Sequence, residues 1–158
     1  MSTAIDTGQV ILDRIAALEV QRAQIEAQTA SLMLEFADLR RAEAERHGDP
    51  RVRDMEIGFA ADELGVVLHQ PTRTVQVRLA DSRRVRNLMP LNCAADGDGR
   101  VDAFRVSLIA SATAKLTTQE NLIHLDGFIG EYAATHTTAQ LKAKLNRLFP
   151  AGKPATKP

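Results

Sequence analysis

The sequence predicts an all-α protein. A long, coiled-coil-like N-terminal helix is expected to lead into a bundle of about five shorter helices, two of them meeting at a helix-turn-helix-like corner. Three observations carry this. Aliphatic side chains recur at helical spacing, and no stretch alternates with the period of two that a strand needs. Aromatic residues make up 4% of the chain and Trp is absent, so the core falls to Leu, Ile, Val and Ala. Each aliphatic run is bracketed by capping or stopping residues. The 158 residues suffice for one domain with its own core.

The first helix is expected from Val10 to about Arg46, after a flexible lead over residues 1–9. Its aliphatic residues follow a 4-3 pattern. One row reads Ile11, Leu18, Ile25, Leu32 and Leu39; the other reads Ile15, Arg22, Thr29 and Phe36. Such a helix would span roughly 50–55 Å. That exceeds the width of a compact domain this small, so the five-residue row is expected to mediate self-association or to bind another protein. His47-Gly48-Asp49-Pro50 stops the helix, with Gly48 as a left-handed cap.

The bundle is expected over residues 56–149. From Glu56 to Leu68, the residues Ile57, Ala60, Ala61, Leu64 and Leu68 fall on one helical face. Pro71 breaks the chain, and Thr72 has the chemistry of an N-cap for a helix from Arg73 to Leu88. The stretch MPLNCAADGDGRVD reads as turns. Asp102 can cap the next helix, Thr117 and Glu120 have capping-box spacing for another, and Thr137 or Thr138 can cap the last. Pro150 ends it, and residues 150–158 form a basic tail expected to be flexible.

The formal net charge is +0, but charge is unevenly spread. Residues 1–50 are acidic, whereas five arginines lie between Arg73 and Arg86 against a single acid, Asp81. On a helical wheel Val75, Leu79, Ser82, Val85 and Met89 share one side, with Arg78 and Arg86 at its edge. A helix-turn-helix needs a small residue where the second helix crosses the first, and apolar residues closing the corner; Gly65, Leu68 and Val75 have that spacing. Thr72, Arg73 and Gln76 would then face outward at the end that contacts bases, where Arg suits guanine and Gln suits adenine. Arg83 and Arg84 would serve phosphates. The turn lacks the usual glycine, and Arg78 stands where an apolar residue is usual. The competing expectation is a helical hairpin whose arginines are solvated or paired with Asp62, Glu63 or Asp81.

The segment ELGVVLHQPTRTVQVRLADSRRVRNLMP resembles the helical domain called domain of unknown function 222. The resemblance rests on Glu63, Leu64, Gly65 and Leu68, then Arg78, Leu79 and Ala80, with Met89-Pro90 in place of Leu-Pro. It continues through GDGRVDAFRVSLIASATAKL and LIHLDGFIGEYAATHTTAQLKAKLNRL, with Leu125-Asp126 and Thr138-x-x-Leu141 in familiar places, and covers roughly residues 10–149. It implies a helical domain that usually precedes an HNH nuclease in actinobacterial and mobile-element proteins. No HNH segment follows in this sequence.

Catalytic chemistry finds little support. His47, His69, His124 and His136 lack metal-ligand spacing, and there is no CxxC. DGDGRVD has the acidity of a calcium loop, but Arg100, Val101 and Ser107 occupy positions that need an oxygen ligand, Gly and Glu. Phosphate-cradling loops and nucleophile elbows are absent, and Cys93 has no activating neighbour in sequence. No enzyme activity, cofactor or metal is therefore expected. Nothing reads as a signal peptide or membrane span, and one cysteine suits a reducing cytoplasm. The expectation is a non-catalytic DNA-binding or targeting module of a mobile-element or phage-type protein, acting as a homo-oligomer. The alternative is a helical oligomerisation or protein-interaction protein with no nucleic-acid role.

Overall fold

The computed structural model describes residues 2–114 and 119–150, apart from the side chains of residues 2–6, 53, 56, 57, 92 and 119–121. Among the described residues there are seven helices and no strand: α1 (Ser2–Ala44), α2 (Pro50–Leu68), α3 (Thr72–Leu88), α4 (Pro90–Gly97), α5 (Ala103–Thr113), α6 (Gln119–Thr135) and α7 (Thr138–Leu148). The protein is all-α, with a long first helix packed against shorter ones. The side chain of Ile57, the Thr117–Glu120 capping box and the tail from residue 151 lie outside the described residues.

α1 has 43 residues, roughly 65 Å of helix. It starts at Ser2 and so includes residues 2–9, ahead of the Val10 start that the aliphatic pattern suggests. No Pro interrupts them, and extending an existing helix costs little per residue, even across Gly8. Its two halves differ. From Thr7 to Arg22 every side chain is exposed. From Ala23 onward a face of small residues packs on the bundle: Ala23, Ala37 and Ala44 are buried, with Met33 and Leu34 beside them. The bundle first reaches α1 where Gly99, at φ 74, lies against the Val20 carbonyl. Gln24 Nε2 adds a hydrogen bond to the Asp98 carbonyl at 3.3 Å.

α2 begins at Pro50, earlier than the apolar pattern suggests. Asp49 is extended and its carboxylate accepts the Arg51 N–H at 2.9 Å. Pro50 fills the first helical position, where its missing N–H needs no partner. Gly48 does not take the left-handed conformation expected of it; among the described residues only His69 and Gly99 have positive φ. His69, at φ 52, ends α2, and its turn is closed by N–H donation to the Gly65 and Val66 carbonyls. The left-handed residue usually supplied by Gly is here a histidine. A Cβ on Gly65 would stand 2.8 Å from the Gln70 carbonyl, so the sharp corner into α3 requires that glycine.

Thr72 is the first residue of α3 rather than its N-cap. Its hydroxyl instead donates to Asp62 of α2 at 2.6 Å. α3 links two cores. Val75 and Leu79 pack with Met33, Leu34, Ala37, Ala60 and Ala61. Farther along, Val85 and Met89 join Ala95, Val101, Ile109, Ile129 and Leu141. The predicted apolar side of α3 is thus buried, with Ser82 half-buried between the two clusters.

The stretch expected to be turns contains α4. Pro90 occupies its first turn, and the carboxylate of Asp126, itself 2% exposed, accepts the Leu91 N–H at 2.7 Å. The cap comes from another helix, so the local sequence of α4 does not announce it. Asp102 caps α5 through the Arg105 N–H at 2.9 Å. Thr137 caps α7 in a reciprocal box with Gln140.

Candidate functional site

Two surfaces were expected to act: the outer face of α3 and the aliphatic row of α1. On α3 the five expected DNA-contacting residues divide. Arg73 and Gln76 are exposed. Thr72 is half-buried and bonded to Asp62. Arg83 donates to Asp38 of α1 at 2.9 Å, and Arg86 donates to the other oxygen of the same carboxylate at 3.1 Å. Burial pushes the Asp38 carboxyl up, but hydrogen bonds from Arg86 and Arg83, with their charges, outweigh it and hold the group below the usual carboxylate range. Arg84 points to the C-terminal end of α5, where it donates to the Thr113 carbonyl and, at 3.3 Å, to its hydroxyl. A cation there also complements the helix dipole. Arg78 donates to Gln70 Oε1 at 2.9 Å and braces the corner. Neither Asp62 nor Glu63 is the arginine partner within α3; Asp62 takes Thr72, Glu63 pairs with Arg40, and Asp81 accepts from Ser107.

Arg73 also borders a cleft of about 350 Å³ between α1, α3 and α5, whose rim includes Glu26, Asp81 and Asp96. Burial, then the charges of Glu26 and Asp102, push the Asp96 carboxyl up to about 6. Asp96 Oδ1 is buried without a hydrogen-bond partner. These acids lower the local potential that a phosphate would meet at Arg73. Cys93 is half-buried, and burial together with Asp96 pushes its thiol up, away from the reactive thiolate. Among the described residues, no group of three or more His, Cys, Asp or Glu side chains is placed to hold a metal ion. His136 stacks on Tyr132 with ring centres 3.7 Å apart.

The second surface is apolar. Ile11, Leu18, Ile25, Leu32 and Leu39 are 56, 56, 63, 65 and 55% exposed. They lie two positions from the row of buried Ala23, half-buried Ala30 and buried Ala37, and two residues turn a helix by roughly 200°. α1 therefore has opposite apolar faces: alanines with Met33 and Leu34 against the bundle, and the large aliphatic row toward solvent. Near Leu32 the outer face becomes one wall of an open trough of about 360 Å³, with Thr29, Leu32 and Phe36 on α1 facing Leu64, Val67 and Leu68 on α2.

Sequence reading missed four contributors. Asp38 has no local feature marking it as the partner of Arg83 and Arg86. Asp126 acts on a distant helix end. Val66 and Val67, each 75% exposed, extend the apolar surface; their place off the Ala60, Ala61, Leu64 face was the available signal. Among the described residues no helix is long and apolar enough to cross a membrane. Comparison with protein families, with curated proteins and with solved structures finds no match to this chain.

Proposed function

We propose that this protein is a helical interaction module that self-associates through the outer face of α1. The observation that carries the reading is the exposed Ile11, Leu18, Ile25, Leu32, Leu39 row, running along a helix whose side chains from Thr7 to Arg22 are all exposed. A contiguous aliphatic stripe of this extent marks an interaction surface, and its seven-residue period is that of helix pairing. The sharpest test is Leu18→Glu with Ile25→Glu. Both side chains are exposed in the single chain, so the double variant should keep its fold and lose its oligomer. A sedimentation-equilibrium result showing the unmodified protein as a monomer at roughly tens of micromolar would sink the proposal.

A second reading is favoured by the α2–α3 corner. Gly65 sits at the close approach, and Arg73 and Gln76 are exposed beside it. With the resemblance to domain of unknown function 222, this supports a non-catalytic DNA-targeting role in a mobile-element or phage-type protein, compatible with a dimer. Phosphate contacts by Arg83 and Arg84 would require them to leave Asp38 and Thr113. Fluorescence anisotropy with duplex DNA at low salt tests it; Arg73→Ala should weaken binding to a preferred sequence by about 1–3 kcal/mol. Absence of any salt-dependent affinity would remove the DNA role.

A further inference from the structure

We infer that the trough between α1 and α2 receives the N-terminal half of α1 from a second copy, with the two α1 helices antiparallel. The inference rests on the self-association proposed above and adds its geometry. The halves of the outer face are complementary. The first half is a bare stripe, with Ile11, Leu12, Ile15 and Leu18 all exposed. The second half is one wall of the trough, opposite Leu64, Val67 and Leu68. Ile11 to Leu18 and Thr29 to Phe36 each span seven positions, roughly 10 Å of helix, so stripe and trough match in length. The stripe cannot fill its own trough, because α1 is one continuous helix from Ser2 to Ala44.

Charge decides the orientation. A parallel pair brings equivalent positions together, so Arg22 would face Arg22 and Thr29 would face Thr29. In an antiparallel pair at this register, Arg22 and Thr29 face Ile25 and Leu18 of the second copy, so the two Arg22 side chains fall in adjacent layers rather than opposite each other in one. Arg22 keeps its bonds to Glu19 and Glu26, at 2.8 and 2.9 Å. Exposed Arg14 falls near exposed Glu35 of the second copy, with opposite charge. The attractions of a parallel pair, Arg14 with Glu19 and Glu35 with Arg40, draw on groups already bonded at home, Glu19 to Arg22 and Arg40 to Glu63. The antiparallel arrangement is two-fold symmetric and fills both troughs at once.

The test places a spin label at Asp13→Cys, off the apolar rows, in a Cys93→Ser background, with sedimentation run on the same sample. Antiparallel copies should give a label separation of roughly 30–45 Å, and parallel copies roughly 15–25 Å. Val67 is 75% exposed, so Val67→Glu should leave the helical circular dichroism unchanged while weakening the dimer at least about ten-fold. A dimer with the short separation overturns the orientation but leaves self-association standing. A dimer indifferent to Val67→Glu overturns the use of the trough. A monomer at every concentration removes the self-association reading itself, and this inference with it.

Discussion

Gly99 lies against Val20 so closely that a Cβ at Gly99 would stand 2.6 Å from the Val20 carbonyl oxygen and 2.9 Å from Gln24 Cγ. This contact joins the turn between α4 and α5 to the middle of α1, at the boundary between the exposed and the packed halves of the long helix. It also occurs at φ 74, where side chains other than glycine are strained.

We predict that Gly99→Ala costs about 2–3 kcal/mol, from the left-handed backbone together with the clash. Gly99→Asn should recover only the backbone part of that loss, because Asn tolerates the dihedral but keeps the Cβ. Urea unfolding measures the loss, and amide exchange around Val20 should quicken in both variants. Full rescue by Asn would show that the backbone angle alone matters.

His69 gives the opposite expectation. It is exposed, non-glycine and at φ 52. His69→Gly removes the left-handed strain, offset in part by the greater freedom of glycine in the unfolded chain, and should stabilise by about 0.5–1 kcal/mol. A lower unfolding midpoint in the variant would contradict this account of the turn.

Asp96 should make stability depend on pH. Its folded-state carboxyl is raised to about 6 by burial and by Glu26 and Asp102, so between the ordinary aspartate value and about 6 the folded state holds the proton more tightly than the unfolded one. The contribution of this group therefore falls as pH rises through that window, and the destabilisation is complete above it. Asp96→Asn should stabilise by about 1 kcal/mol near pH 7.5, after allowing for solvent around the half-buried side chain, and by less near pH 4.5. Equal effects of the substitution at both pH values would exclude this linkage.

Arg84 and Arg73 should behave differently when truncated. Arg84 is half-buried and bonded at the end of α5, so Arg84→Ala should cost about 1–3 kcal/mol of stability. Arg73 is exposed, and Arg73→Ala should change stability by less than about 0.5 kcal/mol. Thermal melts of the two variants side by side give the answer, and equal losses would contradict the assignment.

What could be read along the chain was whatever depends on near neighbours. The all-α class, the long first helix, the Asp102 and Thr137 caps and the Gly65 corner follow from periodicity, or from contacts a few positions apart. The outer row of α1 was legible for the same reason, since seven-residue spacing alone puts its members on one face. Tertiary structure decided how the arginines are used. Arg83 and Arg86 meet Asp38 across 45 and 48 positions, and Arg84 meets Thr113 across 29. α4 escaped notice because the Asp126 carboxylate that caps it lies 35 positions beyond Leu91. The choice of which apolar face of α1 turns inward was also tertiary. Both faces have helical spacing; the one carrying Ala23, Ala37 and Ala44 beside Met33 and Leu34 lets the backbone of α1 approach the bundle at its alanines while the two larger side chains fill the core, leaving the wholly large aliphatic row outside.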